Sequence, residues 1–412
     1  MQDYDQVPVS VADSYDSDVR SPVLIYLHAN CPYGGSGANE QDYWFRIWKS
    51  STDSSGVYFH GLKDRVIQGH TDQGQVRETG WIMATPNGAA DSYANATCLD
   101  AGGWALCRYW NATPNCCAYN WYTEGSYTEV DSAAPDHVQY INNLIVWLKN
   151  NYTIDEDRVY IYGYSNGGYM AHRLACENGN WGLYGFSDLD ADPSGDLIKP
   201  QPIAAIATYA GVTFMNPENC NGLWPTNVLH THDTGDEECL YAGGIDTEYS
   251  GVCYPGLPRP YPGAVMTVNS WISLNQTEGK GHSREPITPF DLAVPNSFGQ
   301  ATNWSGSPRG VEVELWTGFF GSHEAVLSNT YRNRLIEWYD IHRRPPYDTT
   351  TPIDPGTECP ADMNGDSMVD GADLTVMLSQ WGGSGSADLN GDGSISGEDL
   401  AIMLGEWGGC ES

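Results

Sequence analysis

Residues 158–177 read RVYIYGYSNGGYMAHRLACE, and the fold turns on them. An apolar run of strand length, 158–164, leads into Gly163-Tyr164-Ser165-Asn166-Gly167, and a helix-like stretch, GYMAHRLACE, follows at once. A G-x-S-x-G run alone is a weak signal, because Gly and Ser are common. Between a strand and a helix it has a mechanical meaning. Small residues let the two elements approach closely around a strained turn that exposes the Ser hydroxyl. Ser165 is therefore the expected nucleophile, and the N–H of Asn166 an expected oxyanion donor.

Working outward, residues 22–28 (PVLIYLH), 80–86 (GWIMATP), 202–210 (PIAAIATYA), 226–232 (TNVLHTH) and 311–317 (VEVELWT) are further apolar runs of strand length. Between them lie helical patterns. Val138, Ile141, Leu144, Ile145 and Leu148 share one face of 137–150, and Tyr331, Leu335, Trp338 and Tyr339 align within 329–341. This alternation predicts an α/β class with a mostly parallel sheet covered on both sides. Residues 87–129, which hold Cys98, Cys107, Cys116 and Cys117, and residues 244–300 break the rhythm and read as long loops. Loops at the carboxyl ends of strands shape ligand sites.

A Ser nucleophile needs a base and an acid, in the chain order Ser, acid, His for this kind of turn. After Ser165, leaving aside the adjacent His172, come His230, His232, His282, His323 and His342. His323 follows the 311–317 strand and precedes the last helix of this region, where a loop can carry its ring over Ser165. His282 is the alternative. His342 falls beside Arg343 and Arg344 and is expected at the surface. The stretch TNVLHTHDTGDEECLY supplies Asp233, Asp236, Glu237 and Glu238, and the residues alone do not choose between Asp233 and Asp236. The Gly-rich stretch LHANCPYGGSG, 27–37, suits a second oxyanion donor near Asn30.

With these pieces in place, residues 1–344 resemble the secreted polyhydroxybutyrate-depolymerase-like and feruloyl-esterase-like α/β-hydrolases. The resemblance is carried by the nucleophile segment, by WNATPNCC (110–117), by Asp136-His137-Val138 with Tyr140-Ile141, and by VLHTHDTGDEECLYAGG. It implies an α/β-hydrolase fold, with Asp236 as the acid and His323 as the base. It implies no cofactor for catalysis. Family substrates include polyester, acetylated or feruloylated xylan and small aryl esters. Trp104, Tyr109 and Trp110 are candidates for the substrate cleft, with loop or core packing an equal alternative. The chain departs from the family pattern at Ala29, where Gly is usual. It departs again around His323, where Ser322 and Glu324-Ala325 replace the usual Gly and Trp-Pro context. Its N-terminus reads as short of the family's first strand, as a trimmed or late start would leave it.

Residues 345–358, PPYDTTTPIDPGTE, read as a linker. Beyond them 361–383 matches 387–409 at an offset of 26 residues. The first repeat places Asp362, Asn364, Asp366, Met368, Asp370 and Asp373 at positions 1, 3, 5, 7, 9 and 12 of an oxygen-rich loop, with Met368 offering its carbonyl. The second places Asp388, Asn390, Asp392, Ser394, Ser396 and Asp399 likewise. That spacing suits two structural Ca²⁺ ions. Each loop is followed by one apolar stripe, Leu374, Met377, Leu378 and Trp381, then Leu400, Met403, Leu404 and Trp407. Residues 359–412 resemble a type I dockerin, a small all-α module, which implies a cohesin-type partner. Cys359 and Cys410 bracket it.

The full chain has 412 residues and a net charge of -34, a field that disfavours nucleic acid and anionic membranes. No stretch of 18 apolar residues is present to span a membrane. Eleven cysteines without a C-x2-C pair favour an oxidising compartment over a zinc ribbon. A secreted or cell-surface-attached protein is expected, although the polar residues after Met1 are no signal peptide. Three functions follow as expectations. The first is a feruloyl or acetyl esterase on plant cell-wall polysaccharide. The second is a polyester depolymerase, and the third a non-catalytic adhesion or scaffold protein.

Overall fold

In the computed structural model the described residues are 7–29, 62–68, 80–90, 108–110, 112, 136–178, 203–213, 220, 225–246, 259–277, 281–323 and 325–345. In the C-terminal segment they are 361, 363, 368–369, 371–382, 387, 389, 395–405 and 407–409. The strands are β1 (Val9–Val11), β2 (Ser21–Leu27), β3 (Ile82–Ala84), β4 (Ala89–Ala90), β5 (Arg108–Tyr109), β6 (Ile154–Tyr164), β7 (Ala205–Tyr209), β8 (Asn227–Asp233), β9 (Gly243–Asp246), β10 (Arg259–Pro262), β11 (His282–Ser283), β12 (Phe298–Trp304), β13 (Val313–Phe319), β14 (Met368–Val369) and β15 (Gly408–Gly409). The helices are α1 (Leu62–Gln68), α2 (His137–Asn151), α3 (Asn166–Cys176), α4 (Ala264–Leu274), α5 (Asn329–Ile341), α6 (Gly371–Ser379) and α7 (Gly397–Gly405).

Nine of these strands form one sheet, ordered β1-β3-β2-β6-β7-β8-β13-β12-β11. The run from β3 to β13 is parallel, and antiparallel pairs close both edges. From β2 the chain goes to β3 on one side and then to β6 on the other. That reversal of direction leaves a crevice at the carboxyl ends of β2 and β6, where open α/β sheets bind ligands. The sheet and its helices agree with the α/β-hydrolase architecture expected from the residues.

The central strands alternate between two buried faces, which is why they read as continuous apolar runs. Val23, Ile25 and Leu27 of β2 join Val159 and Ile161 of β6 in a core covered by α2, α3 and α4. Leu24 and Tyr26, with Tyr160, Tyr162 and Tyr164, face α1 and α5. Side chains start two of the helices: Asp136 accepts from the Gln139 N–H at 2.9 Å, and Ser328 from the Tyr331 N–H at 3.0 Å. A disulfide, Cys176–Cys220, ties the end of α3 to the segment after β7.

Three expectations need correction. A strand does precede β2, because Val9–Val11 pairs antiparallel with Ile82–Ala84. Residues 244–300 are not one long loop. They hold α4, whose Ala264, Val268, Trp271 and Leu274 pack on the sheet. This helix opens at Gly263 without a side-chain cap, so it carried no start signal. His342 is not at the surface but 6% exposed, its ring 4.2 Å from that of Trp338.

The described C-terminal residues build a small cluster around Ala361, Met363, Val369, Val376, Met377, Ala387, Ile395 and Met403, against which Met266 of α4 packs. The two-residue strands β14 and β15 pair there, so helices are not its sole element. Only part of each apolar stripe is inward. Met377 and Met403 are buried, whereas Leu378, Trp381, Leu404 and Trp407 are exposed.

Candidate active site

Ser165 stands between β6 and α3 with φ 51° and ψ -121°. Such positive-φ backbone is strained for a residue with a side chain. Two glycines make the turn possible. A Cβ on Gly167 would strike the Leu27 carbonyl, and one on Gly163 would strike the Gly167 carbonyl. Asn166 is thus the first residue of α3, and its N–H comes ahead of the helix's own hydrogen bonds, which open with the Gly168 and Tyr169 N–H groups on the Ser165 carbonyl.

The structure brings Ser165, His323 and Asp236 into one line. His323 Nε2 lies 2.9 Å from Ser165 Oγ, and His323 Nδ1 lies 2.9 and 3.0 Å from the two oxygens of Asp236. The loop carrying His323 is fastened at three points. The Tyr164 hydroxyl donates to the His323 carbonyl at 2.9 Å and the Tyr209 hydroxyl to the Ser322 carbonyl at 3.2 Å. The Gly321 N–H donates to Asp233 Oδ1 at 2.8 Å. Asp233, open as an alternative acid, therefore holds the base's loop instead of the base. Burial raises its pKa.

Asp236 Oδ1 also accepts from the N–H groups of Glu238 and Cys239, at 3.0 and 2.8 Å. Burial pushes the Asp236 carboxyl up. Hydrogen bonds from His232 and His323 outweigh it and hold the group down at about 2. Asp236 is ionised at neutral pH and can face an imidazolium on His323.

The remaining predicted residues are placed as follows. The Asn166 side chain is fully buried and grips the backbone of Trp110, accepting from its N–H at 2.7 Å and donating to its carbonyl at 3.1 Å. Trp110 itself corrects the cleft expectation. Its ring is 0% exposed, between His28 and His137, and its indole N–H donates to the His28 carbonyl at 3.0 Å. A side chain sealed in this way is a pillar under the turn and cannot line a cleft. Asn30, Trp104 and the side chain of Tyr109 lie outside the described residues. His282 is exposed on the edge strand β11, and no hydrogen bond links it to Ser165 among the described residues.

Two further residues reach this line. Glu238 carries a carboxylate 3.6 Å from His323 Nε2, on the Ser165 side of the ring. His232 reaches Asp236 Oδ2 at 3.3 Å. Only the three-dimensional return of the 233–239 turn toward β8 brings them there.

In the C-terminal segment Asp373 and Asp399, the twelfth residues of the two loops, are both fully buried. Asp373 Oδ1 accepts from the Met363 N–H at 2.8 Å and Asp399 Oδ2 from the Ser396 N–H at 2.7 Å. Asp362, Asn364, Asp366, Asp370, Asp388, Asn390, Asp392, Ser394 and the Met368 side chain lie outside the described residues. So do Cys359 and Cys410. Among the described residues no group of three or more His, Cys, Asp or Glu gathers around a metal position.

No family model matches the chain, and no curated protein matches it. Solved structures similar to it include a thermostable esterase, at 13% identity and TM-score 0.35, over 82% of this chain and 60% of that one. The chain thus spans less than two thirds of that esterase. An acetyl xylan esterase from Aspergillus awamori is similar at 12% identity and TM-score 0.35, over 81% of this chain and 94% of its own. The native form of a protein called pOPH is similar at 12% identity and TM-score 0.40, over 84% and 87%.

Proposed function

We propose that this chain is a serine carboxylic-ester hydrolase. The observation that carries the reading is the unbroken hydrogen-bonded line Ser165–His323–Asp236, with Ser165 on a positive-φ turn between strand and helix. Ser165 Oγ attacks the ester carbon while His323 Nε2 takes its proton. Asp236 holds the other ring nitrogen as N–H and faces the imidazolium that forms. The oxyanion meets N–H groups of the first turn of α3, led by Asn166, with a second donor from the 27–37 stretch near Asn30. The tetrahedral species collapses, His323 returns the proton to the leaving alcohol, and an acyl-Ser165 remains. Water, deprotonated by His323, then frees the acid.

For the natural substrate we favour acetyl or feruloyl esters of plant cell-wall xylan, with a secreted or surface-attached enzyme. The dockerin-like repeat supports that choice, because modules of this kind gather polysaccharide-degrading enzymes through cohesin-type partners. The Cys176–Cys220 bond supports an oxidising compartment. Acid release from acetylxylan, feruloylated xylan and polyhydroxybutyrate, measured side by side, tests the choice. Release from polyhydroxybutyrate alone would instead establish the polyester depolymerase. No release from any substrate would leave the adhesion or scaffold protein.

Calcium fits the residues of the C-terminal repeat. Asp373 and Asp399, at position 12 of the two oxygen-rich loops, are carboxylates without solvent exposure that each accept a backbone N–H. Buried carboxylates need a cation or donors. Asp362, Asn364, Asp366, Asp370, Ser396 and their counterparts would complete two oxygen cages that brace α6 and α7. Titrating the chelated full chain with Ca²⁺ should protect residues 359–412 from proteolysis. Equal cleavage with and without the ion would remove the metal sites.

A further inference from the structure

Beneath the Ser165–His323–Asp236 line lies a second set of polar side chains that acyl transfer does not use. His172 on α3, Thr208 on β7, and His230 and His232 on β8 are all fully buried. The fold dictates their alignment. Residues 230 and 232 flank Thr231, so both imidazoles share one face of β8. Thr231 faces the other way, accepting from the Tyr331 hydroxyl at 3.2 Å. Thr208 is the ladder partner of His230 across β7 and β8.

The contacts run without a break. The Trp271 indole N–H donates to His172 Nδ1 at 2.9 Å. His172 Nε2 lies 3.3 Å from Thr208 Oγ1, which lies 2.9 Å from His230 Nδ1. His230 Nε2 lies 3.2 Å from His232 Nδ1. His232 Nε2 lies 2.6 Å from the Cys239 carbonyl and 3.3 Å from Asp236 Oδ2.

The two ends of this chain together set the direction of the protons in it. An indole N–H only donates, so His172 Nδ1 accepts. Burial keeps the His172 and His230 rings neutral, pushing His172 down to about 3 and His230 well below its ordinary value. A neutral His172 whose Nδ1 accepts carries its proton on Nε2 and donates to Thr208. At the far end the Cys239 carbonyl can only accept, so His232 carries a proton on Nε2 and in its neutral form accepts on Nδ1 from His230 Nε2–H. A neutral His230 then accepts on Nδ1 from the Thr208 O–H. His232 in turn presents its Nε2–H to the Cys239 carbonyl and to Asp236.

We infer that Trp271, His172, Thr208, His230 and His232 form a tautomer-locked relay whose output is a side-chain N–H on Asp236 Oδ2, making His232 a positioning residue for the acid. This inference rests on the reading of Asp236 as the acid of a serine hydrolase. The relay disperses the carboxylate charge and keeps its oxygens aimed at His323 Nδ1. The other titratable groups around the pair are Asp233, Glu238, Tyr209 and Tyr241. Without the His232 donor the Asp236 charge is more concentrated. It then holds a protonated His323 more strongly, so the acid limb of activity moves to higher pH.

The test uses the full chain and two variants. His232→Leu should lower kcat for p-nitrophenyl acetate by about 10- to 100-fold, with KM within about twofold and the acid limb displaced upward. His232→Gln restores an N–H donor and should recover most of kcat and the original limb. The relay is overturned if His232→Leu keeps the wild-type limb, or if His232→Gln is no better than Leu while both melt like wild type. Nitrogen-15 NMR of the wild-type chain decides independently of turnover. His172, His230 and His232 should all be Nε2–H tautomers at neutral pH, and any one found as Nδ1–H breaks the relay. A wild-type chain that hydrolyses no ester overturns the esterase reading instead, and the tautomers still decide the relay.

Discussion

Ser165→Ala should lower kcat for p-nitrophenyl acetate by about 10⁴- to 10⁶-fold, with KM little changed. The alanine keeps the turn and the first-turn N–H groups of α3, so ester binding and any oxyanion stabilisation survive. What disappears is the oxygen 2.9 Å from His323 Nε2, and with it the covalent route. Labelling by a fluorophosphonate should disappear in the same variant, because that reagent reports the activated hydroxyl directly. Retained turnover after this substitution would remove Ser165 from the mechanism.

Asp236→Asn should cost about 10⁴-fold in kcat, whereas Asp233→Asn should cost less than about tenfold. The difference follows from what each oxygen meets. Asp236 receives N–H groups on both flanks, from His323 and from His232. An amide there has one oxygen to accept and one NH₂ that must donate. With the oxygen kept on the Glu238 and Cys239 N–H groups, the NH₂ takes the Oδ2 place, where it opposes the His232 N–H and, facing His323 Nδ1, forces the His323 proton onto Nε2. The ring then offers an N–H where Ser165 needs a base. At Asp233 the oxygen accepting from Gly235 and Gly321 can be kept by an amide, and the other oxygen has no partner to lose. Comparing the two variants by stopped assay and by melting separates the acid from the loop anchor. If Asp233→Asn is the more damaging, the line drawn through Asp236 is wrong. Because Asp236 stays ionised down to about pH 2, wild-type activity should fall in acid through one proton, that of His323.

Much of the catalytic region was legible because its signals are local. Residues 158–177 carry a strand, a turn and a helix in one stretch, and the alternating faces of β2 and β6 are both apolar. The loop after β13 placed His323 by chain order. The choice between Asp233 and Asp236 was not legible, since both sit in one short turn and differ in where that turn folds back. The relay was hidden for a similar reason. His230 and His232 look like two scattered histidines until the β7–β8 register sets Thr208 beside them and α3 lowers His172 onto the same face. Trp110 misled because an aromatic near an active site suits a cleft and a core equally. The grip of Asn166 on its backbone decides for the core. Helix α4 escaped notice because Thr267 and Ser270 interrupt its apolar pattern, yet both are buried and hydrogen-bonded.

Ser165 occupies the one described position where a serine at φ 51° meets both a strand end and a helix start. A conformation of this kind costs on the order of 1–3 kcal/mol, which glycine would largely escape. Glycine has no hydroxyl to give. The chain therefore keeps, at the place its chemistry depends on most, a residue poorly suited to the local backbone. The sheet on either side must be stable enough to hold it there. Stability and reactivity pull in opposite directions at this single residue, and the buried tyrosines and close-packed glycines around it are the reason the pull does not open the turn.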